Sequence, residues 1–460
     1  MAAVPSGYHC LWDEGEPESL SQSHTGVGDP HDVVIVGAGF TGLWTAHYLL
    51  ELNPRLSILV LDRHRIGFGA SGRNGGWCSA QLPMSLTSIA AHSSREAAIG
   101  MQSAMRDTVR LIGDETRTLG IDCDYALGGT LEMSRLPAHD SRIRSRYDEL
   151  VGFGLEAGVR LLDARQTADI TPARGVRGGL FDEHCAAIHP GKLVRGLGTS
   201  LRQRGVLIHE GVEVLAIRPG RVLLASGAEI PARHVIRATE GFTSSIEGLR
   251  RRILPIHSLM IATEPLDSRL LDSVGLADRT TFNDSRHMVI YGQRTADDRV
   301  AFGGRGAPYH YSSSVDQRFS VDGSVANMLF RTLVELFPDL SDTRITHHWG
   351  GPLGATRDWW TFVEHDASTG LSSAGGYVGD GVTTSNLAGR TLARLVCGIH
   401  DPLVGLPWVG RRSRNWEPEP LRWLGVRAMG RLARQIDLDE TRDRPRARFL
   451  ARLLNRALGH

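Results

Sequence analysis

Residues 32–52 read DVVIVGAGFTGLWTAHYLLEL, and this stretch decides the fold expected for the chain. The apolar run VVIV predicts a buried strand, a glycine turn follows it, and an apolar-faced helix begins after the turn. The next stretch, RLSILVLDRHRIG at 55–67, predicts a second strand that ends in Asp62. A strand, a helix and a strand in this order indicate a βαβ opening and a parallel sheet.

The turn contains Gly37-x-Gly39-x-x-Gly42. The first glycine permits a tight turn, the second lets a pyrophosphate approach the backbone, and the third lets the helix pack on the strand. The helix N-terminus offers N–H groups to phosphates. Asp62, 20 residues after Gly42, stands where a carboxylate accepts hydrogen bonds from a ribose. Together these features predict a dinucleotide site, and a plain glycine-rich turn in an α/β protein is the alternative.

A second glycine-rich stretch, GFGASGRNGG at 67–76, follows the second predicted strand within a few residues. Clustered glycines cost backbone entropy, so their presence suggests that something lies against them. Such a loop could wrap a pyrophosphate and its neighbouring chain from a second side, with Ser71 and Arg73 as donors. An enclosed cofactor of this kind favours FAD over a diffusing nicotinamide, and a mobile surface loop is the alternative.

Composition limits the remaining function classes. At 460 residues the chain exceeds the usual size of one core, which predicts two lobes with a pocket between them. The net charge of +1 offers no field to attract nucleic acid. Five scattered cysteines form no metal-binding pattern and fit a reducing, cytoplasmic setting. The N-terminus does not resemble a signal peptide, and no apolar run is long enough to span a membrane.

The remaining pattern predicts an α/β fold with a discontinuous Rossmann-like domain. We expect this cofactor-binding domain at 31–90, 170–250 and 350–400, where strand, turn and helix patterns recur. Alternating apolar and polar positions predict an α+β substrate domain on an antiparallel sheet, at 91–169 and 251–349. Residues 1–30 read as a surface arm, and residues 401–460 as a basic helical extension.

Several of these stretches together resemble the FAD-dependent oxidoreductases of the glycine oxidase and D-amino-acid oxidase superfamily, most of all the γ-glutamylputrescine-oxidase-like branch. The resemblance spans residues 32 to about 395. Besides the two glycine stretches it rests on HPGKLVRGL, HVIRATEGFTSS, RVAFGGRGAPYH, WGGPLGATRD and GGYVGDGVTTSNLAGRTLA.

The resemblance implies which residues contact FAD. Three glycines would hold the pyrophosphate, Asp62 the ribose, and the 71–76 loop the middle and the ring of the flavin. A helix N-terminus at Gly381 would face the flavin N1–C2=O edge, where positive charge stabilises the reduced form. The full predicted set is Gly37, Gly39, Gly42, Asp62, Arg63, Ser71, Arg73, Asn74, Gly75, Gly76, Val214, Ala238, Thr239, Gly381, Val382 and Thr383.

Substrate contacts are less well specified. Arg357 occupies about the place where amino-acid-oxidising members keep an arginine for the substrate carboxylate, although an ion pair with Asp358 or Glu364 is the alternative. The other predicted contacts, each also readable as core packing, are His257, Tyr291, Trp349 and Trp77. The single lysine, Lys192, cannot be assigned the oxygen-assisting role known in some relatives. Asp380 stands where many relatives have histidine, and we expect it to point away or pair with an arginine such as Arg390.

The resemblance implies oxidation of an amine or amino acid to an imine by hydride transfer to flavin N5, with O₂ as acceptor and H₂O₂ as product. No residue is predicted to act as a catalytic acid or base, and no metal is expected. A first alternative is a membrane-surface dehydrogenase that reduces a quinone. It draws on residues 401–460, which hold thirteen arginines and seven acids in amphipathic patterns. A second alternative is a flavin-binding protein without turnover. The oligomeric state is not predicted.

Overall fold

The structure is a computed structural model that describes residues 7–15, 28–305 and 309–458. In chain order its strands are β1 (His31–Val36), β2 (Ile58–Leu61), β3 (Trp77–Ser79), β4 (Thr130–Ser134), β5 (Val159–Asp163), β6 (Gly178–Asp182), β7 (Cys185–Ala187), β8 (Leu207–His209), β9 (Val214–Arg218), β10 (Arg221–Leu224), β11 (Glu229–Arg237), β12 (Leu254–Thr263), β13 (Thr281–Asp284), β14 (Ile290–Arg294), β15 (Val300–Arg305), β16 (Ile345–Ala355), β17 (Phe362–Asp366) and β18 (Leu371–Gly375).

The α-helices, in chain order, are α1 (Phe40–Leu52), α2 (Leu86–His92), α3 (Arg95–Thr118), α4 (Pro137–Phe153), α5 (Ala164–Ile170), α6 (Pro190–Gln203), α7 (Ser268–Val274), α8 (Gly323–Leu336), α9 (Gly381–Val396), α10 (Leu421–Thr441) and α11 (Arg446–Leu458). Short 3₁₀ turns occur between them, including one at Leu11–Asp13 and one at Glu240–Ser245.

The first sheet has the order β17-β18-β11-β1-β2-β8. Its five strands from β18 to β8 are parallel, and β17 adds an antiparallel edge. Helices α1 and α9 pack against each other on one face, next to α6 and α3. The β9–β10 hairpin supplies part of the apolar cluster on the other face. This is the predicted Rossmann-like domain, since its central βαβ unit is β1-α1-β2.

The second sheet has the order β16-β12-β15-β14-β13-β4-β6-β5 and is antiparallel except between β13 and β4. Its core contains Phe282, Phe302 and the inward face of α8. Strand β16 contacts the glycine-rich loop at residues 70–72, and both β12 and β16 contact the 3₁₀ turn Glu240–Ser245 that follows β11 of the first sheet. The antiparallel sheet of the predicted substrate domain is therefore present.

Some segments join a different sheet from the one their predicted domain implies. β6 lies within the predicted cofactor domain, but it pairs with β4 and β5 in the second sheet. α3 lies within the predicted substrate domain, but its residues Met101 and Met105 belong to the same core as β1 and α9. Periodicity shows that a helix has an apolar face, yet it does not show which surface that face meets.

The described part of the N-terminal segment differs from the predicted surface arm. Cys10, Leu11 and Trp12 are buried against Met260 and Trp349 of the second sheet. His9 pairs with His348 through backbone hydrogen bonds in both directions. The region as a whole is polar and rich in glycine, but the short apolar run Cys10–Trp12 within it packs in the interior. Residues 1–6 and 16–27 of the predicted arm lie outside the described residues.

No described helix combines the length and apolarity needed to cross a bilayer. The predicted C-terminal helices are present as α10 and α11, which pack on each other through Ala433, Ile436 and Leu454. All five cysteines are free thiols in this structure.

Candidate active site

A first cavity of about 1170 Å³ lies at the carboxyl ends of β1, β2 and β11. It extends from Asp62 and Val214 at one end to the N-terminus of α9 at the other. This is the crevice in which open α/β sheets bind their ligands. The predicted cofactor residues in its wall are Gly37, Gly39, Asp62, Arg63, Ser71, Asn74, Val214, Ala238, Thr239, Gly381 and Val382.

Backbone atoms form the floor of the first cavity, and Gly37 and Gly39 show why. Gly37 has φ +115°, and a Cβ atom there would lie 2.4 Å from the carbonyl oxygen of Ala238. A Cβ atom at Gly39 would lie 2.8 Å from Ser71 Oγ. A side chain at either position would therefore collide with the adjoining turn, and glycine leaves the backbone open to a ligand.

Asp62 and Ser71 brace the first turn of α1. Asp62 Oδ2 accepts a hydrogen bond of 2.7 Å from the Ala38 N–H, and Oδ1 accepts one of 2.7 Å from the His64 N–H. Ser71 Oγ accepts from the Phe40 N–H at 2.9 Å. Burial raises the pKa of Asp62 to about 6. The two predicted motifs, the α1 turn and the 67–76 loop, thus meet in one wall.

The 67–76 loop is held firmly by distant parts of the chain. Three consecutive carbonyl oxygens, at residues 73, 74 and 75, accept hydrogen bonds from side chains of three different segments. The donors are Trp349 Nε1 at 3.0 Å, Trp12 Nε1 at 2.8 Å and Gln293 Nε2 at 2.7 Å. Asn74 closes the loop on itself, since its side chain bonds the backbone at Ala70, Ser71 and Gly76. This bonding does not fit the alternative of a mobile surface loop.

Three of the predicted cofactor residues lie behind the wall of the first cavity. A Cβ atom at Gly42 would lie 2.0 Å from the Gly37 carbonyl oxygen, so this glycine allows the helix to pack on the turn. A Cβ atom at Gly76 would lie 2.0 Å from Gln293 Nε2, so this glycine leaves room for the Gln293 side chain. Thr383 is buried, with its Oγ1 3.4 Å from Cys78 Sγ. Arg73 and Gly75 line a second cavity instead.

Glu240 belongs to the first cavity but was not predicted as a site residue. Its carboxylate accepts from the Gly376 N–H at 3.0 Å and the Tyr377 N–H at 3.1 Å, which ties the 3₁₀ turn after β11 to the end of β18. Burial raises the pKa of Glu240 to about 7. Its place after a parallel strand, at the ligand-binding edge of the sheet, was a signal available in the sequence.

A second cavity of about 1340 Å³ adjoins the first and lies between the second sheet, the 67–76 loop and the start of α9. The cavities share the wall residues Ala70, Asn74, Leu353, Gly379 and Val382. Two of the predicted substrate contacts, Trp77 and Tyr291, line it with their rings edge to face at a centroid distance of 6.2 Å. The Tyr291 hydroxyl lies 2.9 Å from Ser258 Oγ.

Charged side chains make up much of the second cavity's wall. Its arginines include Arg146, which pairs with Glu132 at 3.1 Å, and Arg286, which pairs with Asp284 at 2.7 Å. The full charged set is Arg73, Arg142, Arg146, Arg286, Glu132, Asp284 and Asp380. Side chains of both signs thus line one cavity beside the first. Asp380 lines this cavity, and Arg390 donates a hydrogen bond to Thr108 Oγ1 at 3.4 Å.

The other predicted substrate contacts lie elsewhere. Arg357 donates to Glu417 at 3.0 and 3.1 Å, stacks on Trp416, and is absent from the walls of both cavities. Trp349 is fully buried beneath the glycine-rich loop. His257 lines a third cavity on the other side of β12. Lys192 pairs with Asp124 at 2.9 Å, outside the walls of the first two cavities.

These residues fit FAD. The wall of the first cavity includes both the Asp62 carboxylate and the N-terminus of a second helix, α9. Its glycines leave no side chain in the way, and Ser71 and Asn74 complete the polar wall. The residues that would hold the cofactor are therefore the predicted ones in that wall, with Glu240 in addition.

Comparison with known proteins gives the same result. The profile described as "DAO: FAD dependent oxidoreductase" matches residues 32–395. The gamma-glutamylputrescine oxidoreductase of Escherichia coli K12 is 30% identical over 373 residues, covering 80% of this chain and 84% of that protein. The probable oxidoreductase OrdL of Haemophilus influenzae is 28% identical over 381 residues, covering 81% and 84%. The solved glycine oxidase of Geobacillus kaustophilus superposes with a TM-score of 0.70 at 19% identity, covering 83% of this chain and 99% of that one. The chain belongs to the DAO family of FAD dependent oxidoreductases and binds FAD.

Proposed function

We propose that this FAD-dependent oxidoreductase oxidises the C–N bond of a zwitterionic amine or amino acid to an imine, which water then hydrolyses outside the site. The observation that carries the proposal is the common wall of the two cavities. A substrate in the second cavity would lie directly beside the cofactor site. The name of the Escherichia coli relative supports an amine that also carries a carboxylate.

Bound FAD supplies the two-electron acceptor for cleavage of the C–H bond next to the nitrogen. The protein's part is to position the substrate. Tyr291 and Trp77 form an aromatic wall, and the Tyr291–Ser258 contact of 2.9 Å fixes the phenol. The N-terminus of α9 contributes partial positive charge to the first cavity through Gly381 and Val382, and Val382 also belongs to the common wall. That charge would stabilise the negative charge that bound FAD gains on reduction.

The charges of the second cavity support a substrate with both signs. Arg146 is 39% exposed and bonds Glu132 through Nη1, which leaves further N–H donors for a substrate carboxylate. Glu132 and Asp380 add negative charge for an ammonium group. A simple alkylamine carries no carboxylate to pair with the arginines of the wall. Because removing water from an unpaired charge costs free energy, we expect poor turnover of simple alkylamines.

The decisive test is an anaerobic panel of amines mixed with the holoenzyme, read as bleaching of the flavin's visible absorption band. Matched pairs isolate the carboxylate: γ-glutamylputrescine against putrescine, and proline against pyrrolidine. We expect bleaching only by the carboxylate-bearing member of a pair. If the simple amines bleach the flavin equally fast, the zwitterion part of the proposal is wrong. If no amine bleaches it while dithionite does, the alternative of a flavin protein without amine turnover is supported.

We propose O₂ as the electron acceptor, with H₂O₂ as the product. Mixing the anaerobically reduced enzyme with air-saturated buffer in a stopped-flow instrument tests this directly. Reoxidation at least as fast as turnover supports an oxidase, whereas slow reoxidation that a soluble quinone accelerates supports a dehydrogenase.

One observation favours a second candidate, a dehydrogenase bound to a membrane surface. Helices α10 and α11 expose large apolar side chains beside arginines such as Arg448 and Arg452. These apolar residues are Leu421, Leu424, Leu438, Phe449 and Leu453, between 50% and 65% exposed. Exposed apolar and basic residues together suit an anionic lipid surface. Sedimentation with phosphatidylglycerol vesicles, which we expect to weaken for the double variant Phe449→Ser/Leu453→Ser, tests the contact.

A further inference from the structure

A third cavity of about 1750 Å³ lies between strand β12, the start of α8 and the C-terminal helix α10. No residue in its wall belongs to the walls of the other two cavities. Strand β12 separates it from the proposed substrate site, because Ser258 lines the second cavity whereas the adjacent His257 lines the third. The far wall comes from residues beyond 395, outside the part of the chain that the family profile matches.

Most of the wall is apolar and of two kinds. One end carries aromatic rings, with Trp359, Trp416 and Tyr309 near Leu254 and Val426. The other end carries flexible side chains, which are Met288, Met429 and Leu454. Methionines adapt their shape to a bound chain, so this end suits a flexible aliphatic group.

Two polar groups in this wall lack partners. His257 is 1% exposed, and neither of its ring nitrogens has a hydrogen-bond partner among the described residues. Burial lowers its pKa to about 3, so the ring is neutral and keeps one N–H donor. The buried Nε of Arg427 also has no partner within the described part of the chain. Buried polar atoms are nearly always bonded, so these two donors indicate a polar ligand group.

Both residues lie near His310. The His257 ring lies edge to face with His310 at a centroid distance of 5.1 Å, and burial, followed by the charge of Arg427, lowers the pKa of His310. His310 thus links the two donors in the structure. Arg431 and Arg434 follow on the same helix and also line the cavity, so its field attracts anions. The acid in the wall, Asp322, is already bonded to the first turn of α8.

We propose that the third cavity binds an amphipathic carboxylate, with the carboxylate on the Arg427 and His257 donors and the aliphatic chain among Met288, Met429 and Leu454. This site is separate from the amine site and does not depend on the proposed reaction. The C-terminal extension would thereby add a ligand site to the family fold.

Isothermal titration of the holoenzyme with octanoate and with 1-octanol tests the proposal, because the two probes share a chain and differ in charge. We expect saturable octanoate binding about tenfold tighter than that of octanol, from one charge-assisted contact. Arg427→Gln should remove this preference, and Arg427→Lys should keep part of it. Val426→Trp, which fills the cavity, should weaken binding of both probes. The matched control is Arg442→Gln, an exposed arginine at the end of α10 and outside the cavity wall, which should bind like wild type.

Other outcomes would overturn the proposal. Equal affinity for the two probes, no octanoate binding, or wild-type binding by Arg427→Gln each contradicts it. Loss of octanoate binding in Arg146→Gln but not in Arg427→Gln would place the probe in the second cavity. A parallel titration with phosphatidylglycerol vesicles tests whether the ligand of the third cavity is a free acid or a membrane lipid. Arg427-dependent binding of vesicles without binding of octanoate would reject a free carboxylate ligand.

Discussion

The two adjoining cavities are built in different ways. Backbone and glycine form the floor of the first, and its side chains mainly hold that backbone in place. Side chains of the second sheet and of the segments next to it form much of the second, and its charges include the ion pairs of Arg146 with Glu132 and of Arg286 with Asp284. A site made of backbone tolerates little change, because there is no room for a Cβ atom. A site made of side chains can change its specificity without changing the fold.

The largest effect should come from Gly37→Ala. The added Cβ atom would meet backbone at 2.4 Å, and φ is +115°, so the turn must move. We expect a loss of about 4 kcal/mol or more in unfolding free energy, with loss of flavin. The flavin absorbance per polypeptide after gel filtration measures this. Gly211→Ala is the control, since φ is +75° there and no atom of the described residues lies within 4 Å of an added Cβ. Equal flavin retention by the two variants would contradict the backbone-floor description.

Trp12→Ala tests whether the N-terminal segment supports the first cavity. It removes a buried ring and the donor to the Asn74 carbonyl oxygen. We expect a loss of about 3–5 kcal/mol in denaturant unfolding and faster flavin dissociation. Trp12→Phe keeps most of the packing and should cost less, about 1 kcal/mol from the lost hydrogen bond. If deleting residues 1–15 leaves flavin affinity unchanged, the segment has no role in the site.

Glu240, in the wall of the first cavity, should make the stability of the folded protein depend on pH. Its pKa in the folded protein, about 7, lies above the ordinary 4.5, so the folded state retains a proton that the unfolded state releases. The carboxyl's contribution to stability is therefore present below pH 4.5 and is lost as the pH rises toward 7. We expect the wild-type Tm to fall more steeply across this interval than that of Glu240→Gln. The exposed Glu229→Gln should follow wild type, and parallel curves for all three would refute the assignment.

The smallest effect should appear in the second cavity, where Arg146→Gln and Arg357→Gln can be compared. If Arg146 binds the substrate carboxylate, its loss should raise KM about tenfold without changing flavin content. Arg357 pairs with Glu417 at a partly exposed site, so its loss should leave KM within about twofold. Steady-state kinetics with a substrate from the panel measures both. The reverse result would restore the sequence-based prediction for Arg357.

The sequence predicts the parts of the site that depend on neighbouring residues and misses those that depend on distant ones. Gly37, Gly39 and Asp62 could be read from the sequence because a tight turn and the strand that follows fix their relative positions. Trp12 and Gln293 could not, although both bond the 67–76 loop. They are separated from it by about sixty and more than two hundred residues, and no local pattern records such a contact. The predicted substrate contact of Arg357 rests on resemblance alone. Its ion-pair partner Glu417 lies outside the region that the family profile matches.

By itself, the sequence determined the βαβ unit, the two glycine-rich turns and the FAD-binding oxidoreductase family, because these depend on residues close together along the chain. Only the tertiary structure decided how α3 packs, which side chains line the second cavity, and that α10 closes a third. Those features depend on which apolar faces and charges meet across distant segments. Local spacing limits such pairings, but the packing of the whole chain selects among them.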